Sequence, residues 1–379
     1  MAEGALFYLA GKVLQLLGSI IAEEARSGGG LSELKQLNNL GGSLVIKNLG
    51  HGKDDMVECN ATDMKEKQYL QELQLWWDDG ESECYDEMSL EGLQPHPNLK
   101  MLRLSHYMGM RIPSWVSSLN NLVHFELYKN RRLQHLPSLN QLPFLKSVFL
   151  YEMEALEYIW IGEDNVSNML GGSSFTSSSK TAFFPSLSSL VLMDCPNLKG
   201  WWRNSGDDDN EPHHLLLPSF PPSLFHLQIG RCPNLTYMPL IPDLTLKGSI
   251  IYGCPLLVLE QTMKMGASTS TYFPLSQLED LELYWINDLK LLPKERLQNI
   301  ISLRELYIKR YDGLGSLPWI GILTSVLSLN IWECPKLTSL PQGIHNLTSL
   351  KELGIDNCPN LTSLPRGSRN LTFKKVENS

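Results

Sequence analysis

A leucine pattern that returns roughly every 22 to 29 residues is the feature that most restricts how this chain can fold. In its fullest form, "LKELGIDNCPNL" from Leu350, apolar residues occupy positions 1, 4, 6 and 12, and a cysteine occupies position 9. The same frame fits "VLSLNIWECPKL" from Val326, "LFHLQIGRCPNL" from Leu224 and "LSSLVLMDCPNL" from Leu187. Because positions 4 and 6 lie two residues apart, this segment predicts a short strand with its leucines on one face.

Less complete copies of the frame bring the total to about twelve units. They begin near Gly41 and at Leu70, Leu99, Leu122, Leu145, Leu246, Leu278 and Leu303. One such unit cannot bury its leucines alone, but stacked units bury them as a continuous column. The spacing is typical of leucine-rich repeats, and it predicts an α/β repeat solenoid with a curved parallel sheet and an irregular convex side.

Cysteine at position 9 is interpreted as a turn residue rather than as a reactive group. This position follows the strand, where the chain bends inward and a small side chain can be buried against backbone groups. We therefore expect Cys195, Cys232, Cys334 and Cys358 to be buried and inert. The chain has 7 cysteines in 379 residues, an odd number at low density, which favours a reducing compartment over a disulfide framework.

The composition indicates an ordered protein whose main partner is not nucleic acid. The chain is 42% hydrophobic, has a net charge of −9 and lacks the basic stripe that phosphate binding needs. No apolar run reaches the ~18 residues of a membrane-spanning helix. Glu3 stands where a secretory signal would carry positive charge, and Lys12 interrupts the apolar stretch, so we expect a cytoplasmic protein.

The chain divides into three parts. Residues 1–25 are predicted as a short amphipathic helix because their apolar residues recur at helical spacing, and residues 26–30 form a glycine-rich junction. The leucine-rich repeat domain covers residues 31–379. Three stretches in it are too long for one unit and are predicted loop insertions, at 161–185, 203–222 and 261–274.

Aromatic residues are enriched on the face of the strands opposite the leucines, where positions 5 and 7 point. At position 7, six of about twelve units have Trp or Tyr, against 9% aromatic residues overall. Exposed aromatic side chains with interspersed charges are typical of protein interfaces. The alternative is that large strand residues only cover their neighbours, because aromatic residues favour sheets in any case. Two further tryptophans, Trp77 and Trp285, stand one residue after position 7. We predict that the concave face binds protein through Trp76, Trp77, Arg103, Glu126, Tyr128, Phe149, Tyr151, Tyr252, Glu282, Tyr284, Trp285, Tyr307, Lys309 and Trp332.

Signals for chemistry are weak. "LGHGKD" at 49–54 is a poor phosphate-binding loop, because Lys47 and Asp54 stand where that motif has its first glycine and its final hydroxyl residue. His213 and His214 lie near three aspartates, but adjacent histidines in a polar loop are a weak metal signal. We expect no enzyme, no cofactor and no metal, and we assign no catalytic residue.

Six N-x-S/T sequons leave a secreted alternative open, namely a glycosylated repeat inhibitor or a receptor ectodomain. Asn234 and Asn360 belong to the repeat phrase "CPNLT", and Asn346 and Asn370 belong to a similar "NLT". The repeat itself therefore explains most of the sequons without glycans.

Two long phrases carry a family resemblance. "LSELKQLNNLGGSLVIKNLGHGKD" (31–54) and "MSLEGLQPHPNLKMLRLSHYMGMRIPSWVSSLNNLVHFELYKNRRLQHLPSLNQLPFLKSVFL" (88–150) resemble the leucine-rich repeat region of plant disease-resistance proteins of the coiled-coil NB-ARC class. Residues 1–24 resemble the first helix of their coiled-coil domain. The resemblance implies recognition of a pathogen effector, a guarded host protein or other domains of such receptors. No stretch matches their nucleotide-binding module, so we expect a truncated receptor that binds no nucleotide.

Overall fold

The computed structural model describes residues 22–26, 31–80, 85–139, 142–162, 184–204, 220–236, 239, 248–252, 278–284, 300–311, 317, 319–340, 342–362 and 372–374. The strands in these residues are β1 Ala22–Arg26, β2 Gly41–Leu49, β3 Tyr69–Trp77, β4 Met101–Ser105, β5 His124–Tyr128, β6 Ser147–Tyr151, β7 Tyr158–Gly162, β8 Ser189–Met193, β9 Gly200–Asn204, β10 His226–Gly230, β11 Gly248–Tyr252, β12 Asp280–Tyr284, β13 Glu305–Lys309, β14 Ser328–Trp332, β15 Glu352–Asp356 and β16 Thr372–Lys374. The α-helices are α1 Lys53–Asn60 and α2 Asp86–Gly92, and short 3-10 helices cover Leu31–Gln36, Met64–Glu66, Ser114–Ser118, Ile320–Ile322 and Gln342–Asn346.

One parallel sheet contains fourteen of the described strands, in the order in which they occur along the chain. Neighbouring strands pair at the same repeat position, so that Leu329 of β14 lies between Leu306 of β13 and Leu353 of β15. The leucines thereby form one buried column, in which Leu329 and Leu306 are both 0% exposed. The predicted leucine-rich repeat solenoid is confirmed.

The amino-terminal strand differs from the predicted helix over residues 22–25. Ala22–Arg26 pairs in parallel with β2, so these residues are extended. This pairing gives hydrogen-bond partners to the backbone groups on the edge of β2 that does not face β3. Residues 1–21 of the predicted helix, and residues 27–30 of the predicted junction, lie outside the described residues.

A second, two-stranded parallel sheet is formed by β7 and β9, which lie outside the main sheet. Their last residues, Gly162 and Asn204, are register partners. The strands therefore extend slightly into the predicted insertions at 161–185 and 203–222. The middle of both insertions, and the predicted insertion at 261–274, lie outside the described residues.

A left-handed residue ends most of the repeat strands. Eight strands are directly followed by a residue other than glycine with φ between 48° and 60°, namely His106, Lys129, Glu152, Asp194, Arg231, Arg310, Glu333 and Asn357. This conformation costs an L-residue about 1–2 kcal/mol. It bends the chain inward, so that the next residue, at position 9, enters the core. β3 differs, because it stays extended through Trp77.

Position 9 holds the turn through hydrogen bonds, and asparagine and cysteine do this differently. Asn130 accepts a hydrogen bond from the Tyr107 N–H at 2.8 Å and donates one to the Leu104 carbonyl at 3.3 Å. It therefore ties its own unit to the preceding one. Cys232 donates to the carbonyl two residues before it, at 3.3 Å, and Cys195 does the same at 3.5 Å.

Burial of the position 9 cysteines agrees with the prediction in three cases. Cys195, Cys232 and Cys334 are each 0% exposed. The prediction of burial is wrong for Cys358, which is only half-buried and packs at the margin of the core. Its unit is covered on one side by β16, which has three residues where the neighbouring strands have five.

The units around β2 to β4 contain charged groups in their interior. Asp86, the first residue of α2, is 1% exposed and accepts hydrogen bonds from His51 Nδ1 at 2.9 Å and from the Met108 N–H at 3.0 Å. The second ring nitrogen of His51 lies 2.9 Å from the Asp78 carbonyl, so the charged imidazole, in which both nitrogens donate, is the form that satisfies both acceptors. Burial lowers the pKa of His51, but these hydrogen bonds and the Asp86 charge outweigh it and raise the pKa above its ordinary 6.5.

Candidate protein-interaction surface

Strand pairing arranges the predicted surface residues in two rows on the face opposite the leucines. The row at the carboxyl ends of the strands, the end row, contains Trp76, Ser105, Tyr128, Tyr151, Met193, Gly230, Tyr252, Tyr284, Lys309, Trp332 and Asp356. The central row, two residues earlier, contains Gln74, Arg103, Glu126, Phe149, Val191, Gln228, Ile250, Glu282, Tyr307, Asn330 and Gly354. All of the predicted surface residues except Trp77 and Trp285 belong to these rows.

The prediction is wrong for Trp77, which belongs to the core. Its side chain is 3% exposed, and its ring centre lies 5.1 Å from that of Tyr107 in an edge-on contact. Side chains alternate along an extended strand, and β3 has no left-handed residue to interrupt this alternation. Trp77 therefore follows Leu75 to the inner face and pairs with Leu49 of β2. Trp285 lies outside the described residues, and for Tyr252 the structure describes only the backbone.

At its amino-terminal end, the end row is built from packed aromatic rings. The rings of Tyr128 and Tyr151 stack with centres 5.0 Å apart and planes 6° apart. Lys129 Nζ lies 5.4 Å from the centre of the Tyr128 ring. Ser105, between Trp76 and Tyr128 in the row, is 0% exposed. The large residues thus cover a small neighbour, as the alternative interpretation expects, and yet Trp76, Tyr128 and Tyr151 each stay partly exposed.

Charges in the central row neutralise each other at β4 and β5. Arg103 Nε donates to Glu126 Oε2 at 2.5 Å, and Arg103 Nη2 contacts the same carboxylate. Arg103 Nη1 lies 3.4 Å from Gln74 Oε1. The side chains of the pair are 31% and 13% exposed, so solvent screens them only in part. The two side chains form a charge-assisted contact of fixed geometry.

Acidic residues dominate the same face at β12 and β13. Asp280 and Glu305 are register partners on these strands, and Glu282 stands two residues after Asp280. Burial, followed by the charges of Glu305 and Glu279, raises the pKa of Asp280. The face at β12 and β13 therefore carries an excess of negative charge, whereas at β4 and β5 the charges of Arg103 and Glu126 neutralise each other.

Two tyrosines of this acidic region are held by the carboxylates beside them. The Tyr284 hydroxyl donates to Glu282 at 2.8 Å, and the Tyr307 hydroxyl donates to Glu305 at 3.0 Å. Burial and the hydrogen bond to Glu305 raise the pKa of Tyr307 to about 12. The Tyr307 phenol therefore stays neutral near pH 7, and both phenols have a defined orientation.

Trp332 has charged and aromatic contacts on the same face. Lys309 Nζ lies 5.6 Å from the centre of its ring, and the Tyr307 ring meets it edge-on at 6.1 Å. A glycine follows in the next strand of the central row, where a Cβ at Gly354 would approach Asn330 Oδ1 to 2.2 Å. Because Gly354 has no side chain, the concave surface beside Trp332 is recessed at β15.

The described residues give no support to a metal or phosphate site. Among them, no group of three or more His, Cys, Asp or Glu side chains could hold a metal ion. His51 of "LGHGKD" is bonded to Asp86 instead, and His213 and His214 lie outside the described ranges. Within the same part of the chain, no helix combines the length and the apolarity needed to cross a membrane.

A protein-family model described as R13L1/DRL21 LRRs matches residues 31–153 and 276–358, which together make up more than half of the chain. The chain belongs to this leucine-rich repeat family. The matched parts of this R13L1/DRL21 chain include both well-described stretches of the end row, from Trp76 to Tyr151 and from Tyr284 to Trp332.

Curated relatives of the R13L1/DRL21 chain are plant disease-resistance proteins, which confirms the predicted resemblance. Putative disease resistance protein RGA1 of Solanum bulbocastanum is 31% identical over 305 residues, covering 77% of this chain and 26% of that protein. Putative disease resistance RPP13-like protein 1 of Arabidopsis thaliana is 26% identical over 354 residues, covering 83% of this chain and 31% of that protein. The chain thus spans about a quarter to a third of the length of these relatives.

Solved structures similar to the R13L1/DRL21 chain include the leucine-rich repeat domain of the type III effector XopL. The alignment covers 90% of this chain and 76% of that domain, with 16% identity and a TM-score of 0.29.

Proposed function

We propose that this R13L1/DRL21 chain is a non-catalytic recognition module of plant defence that binds a pathogen effector or a guarded host protein through its concave face. The observation that carries the proposal is the end row, in which partly exposed aromatic residues of different units stand in one continuous strand register. Leucine-rich repeat solenoids commonly use such extended concave surfaces for protein binding.

The end row is suited to binding because its side chains are fixed before a partner arrives. Tyr128 and Tyr151 are stacked, and the ring of Trp332 contacts both Tyr307 and Lys309 of the neighbouring strand. Aromatic residues provide large contact areas and lose little conformational entropy on binding. The sheet holds their backbones, so little ordering energy is lost when the complex forms.

The names of the relatives support the defence context, since RGA1 and the RPP13-like protein are called disease resistance proteins. The sequon asparagines support a cytoplasmic rather than a secreted location. Asn234 Nδ2 donates to the Pro196 carbonyl at 2.8 Å, and Asn360 Nδ2 donates to the Pro335 carbonyl at 2.7 Å. Each therefore has a structural role between units. We expect that glycosidase leaves the mobility of the native protein unchanged, and a change in mobility would contradict the cytoplasmic location.

The interface is tested with a concave triple variant that combines Trp76→Ala, Tyr284→Ala and Trp332→Ala. A matched control combines Tyr69→Ala, Phe144→Ala and Phe225→Ala, which remove aromatic side chains that are 54%, 56% and 55% exposed and lie outside both rows. Affinity-tagged wild-type, concave and control chains are expressed in pathogen-challenged leaf tissue, and the co-purified proteins are quantified by mass spectrometry.

We expect a set of proteins that wild-type and control chains retain equally and that the concave variant loses by about tenfold or more, because central aromatic residues dominate interface energies. Circular dichroism checks that the concave variant is folded. A folded concave variant that retains the same proteins as the wild-type chain would exclude the concave face as the binding surface. Equal loss in the control variant would show that the loss is not specific to this face.

A further inference from the structure

Two pairs of cysteines occupy position 9 in neighbouring units of the solenoid. Cys195 and Cys232 follow β8 and β10, and Cys334 and Cys358 follow β14 and β15. In both pairs the preceding strands are in register, with Met193 opposite Gly230 and Trp332 opposite Asp356. The two pairs are therefore equivalent in sequence frame and in backbone arrangement, which makes each a control for the other.

The geometry brings the thiols of the second pair together. Cys334 donates to the Trp332 carbonyl at 3.4 Å, and Cys358 donates to the Asp356 carbonyl at 3.3 Å, so both side chains enter the turn in the same way. Cys358 Sγ also lies 3.8 Å from the Ile331 carbonyl, which belongs to the strand of the Cys334 unit. Neighbouring strands are about 4.8 Å apart, and disulfides span Cα distances of about 4.4–6.8 Å.

The two pairs differ in how far their cysteines are exposed to solvent. Cys195 and Cys232 are both 0% exposed, whereas in the second pair Cys334 is fully buried and Cys358 is half-buried. The neighbouring Cys334 thiol lowers the pKa of Cys358 to about 7, which favours the nucleophilic thiolate.

We propose that Cys358 is a redox modification site which, on contact with a peroxide, forms a reversible disulfide with Cys334, while the equivalent pair Cys195 and Cys232 stays reduced. Cys358, the more exposed cysteine, reacts with the peroxide, and the buried Cys334 then forms the disulfide with the oxidised Cys358.

The chemistry takes place in two steps. The Cys358 thiolate attacks one peroxide oxygen and breaks the O–O bond, which yields Cys358 sulfenic acid, and the other oxygen leaves as water or as an alcohol after protonation. The Cys334 thiol then attacks the sulfenic sulfur, the S–S bond forms, and the hydroxyl leaves as water with the proton of Cys334. Two electrons pass from the two sulfurs to the peroxide, and a thiol reductant returns them.

Such a bond joins β14 directly to β15. Cys334 and Cys358 each follow an end-row residue by two positions, namely Trp332 and Asp356. Oxidation would therefore restrict the separation of the last two five-residue strands at this end of the concave face. The inference concerns the cysteines alone and does not depend on the identity of the protein that the concave face binds.

The test uses the full reduced chain, treated with hydrogen peroxide at about pH 7.5. Remaining thiols are alkylated, the chain is digested without reduction, and each cysteine is followed by peptide mapping. We expect a peptide linked through Cys334 and Cys358 that dithiothreitol removes, with Cys195 and Cys232 recovered as thiols. Without peroxide, we expect Cys358 to react with iodoacetamide about tenfold or more faster than Cys195.

Two variants assign the roles within the pair. Cys334→Ser should stop the reaction at the sulfenic acid of Cys358, which dimedone traps, and Cys358→Ser should prevent oxidation at Cys334. Cys232→Ser is the matched control and should leave the linked peptide unchanged. The mapping of the wild-type chain decides the question even if a variant does not fold. Alkylation of Cys358 no faster than that of Cys195, or a linked peptide that appears only after denaturation, would overturn the proposal.

Discussion

The units around β2 to β4 and those around β13 to β15 share one leucine frame but close their turns with different chemistry. The first region includes both of the described α-helices and contains buried charged side chains, namely His51, Lys67 and Asp86. In the described part of residues 300–362, none of the buried side chains is charged. There the turns are closed by 3-10 helices, leucines and cysteines.

The difference shows what a departure from the regular unit requires. The inserted helices leave backbone groups in the interior that a short apolar turn would not produce, and buried polar groups need partners. Lys67 Nζ donates to the Leu34 carbonyl at 2.5 Å, near the end of the 3-10 helix Leu31–Gln36, and Asp86 accepts the Met108 N–H. The irregular region is therefore held by a few specific polar contacts, and the regular region by its apolar column.

Removal of the Asp86 carboxylate should have the largest effect. Asp86→Ala leaves the buried charge of His51 and the Met108 N–H without their acceptor, which we expect to cost about 3–5 kcal/mol. Hydrogen exchange should show lost protection in β2 to β4 and little change in β13 to β15. Asp79→Ala, which removes a carboxylate with a 90% exposed side chain, is the control and should change little. Unchanged exchange in β2 to β4 of Asp86→Ala would show that the polar contacts do not hold this region.

A cavity in the regular region should instead reduce hydrogen-exchange protection in β13 to β15 and leave β2 to β4 unchanged. Leu329→Ala removes a fully buried side chain between Leu306 and Leu353, at an expected cost of about 2–5 kcal/mol. Because each repeat contacts mainly its neighbours, exchange should increase in β13 to β15 and stay unchanged in β2 to β4. An equal increase in both regions would mean that the array unfolds as one cooperative unit.

The two kinds of turn residue can be compared directly. Asn130→Ala leaves the Tyr107 N–H and the Leu104 carbonyl without their partner, at an expected cost of about 1–3 kcal/mol. Cys334→Ala loses weak sulfur contacts, such as the hydrogen bond to the Trp332 carbonyl, and a small buried group, so we expect about 1 kcal/mol or less. Urea denaturation measures both changes, and a larger loss for Cys334→Ala would contradict the interpretation that the asparagine contacts hold neighbouring units together more strongly than the cysteine contacts.

The smallest expected effect is a pH dependence confined to the irregular region. The pKa of His51 is raised in the folded chain, so its contribution to stability is complete below the unfolded pKa of about 6.5 and is lost as pH rises through the folded pKa. Urea denaturation of the wild-type chain between about pH 6 and about pH 9 should show this loss, and His51→Gln should show less of it. An equal pH dependence in His51→Gln would assign the effect to other groups.

Local periodicity was sufficient to predict the repeat strands that carry the leucine frame and the two rows, but not β1, β7 or β9. The spacing of Leu353 and Ile355, repeated in each unit, determines which face is buried, and counting from those leucines places Trp76 and Trp332 in one row. The same counting failed at Trp77, because the frame assumes a left-handed turn that β3 does not make. The continued alternation of Leu73, Leu75 and Trp77 was the available signal for an inward side chain.

Contacts between distant residues could not be predicted in this way. His51 and Asp86 are 35 residues apart, and nothing in "LGHGKD" indicates that its histidine faces a helix start in the next unit. The exposure of Cys358 also depends on what covers β15 rather than on the phrase "CPNLTSLP", which Cys358 shares in large part with the fully buried Cys334.

The small sheet of β7 and β9 has a consequence for how this chain can change in length. Gly162 and Asn204 are paired, so the described chain is interrupted at two neighbouring points, and it resumes at Phe184 and Phe220, which are 3% and 1% exposed. The entropic cost of closing a loop grows slowly, by about 0.6 kcal/mol for each doubling of its length. Sequence can therefore be inserted after either residue at little cost to the repeats, and two inserted segments would start side by side.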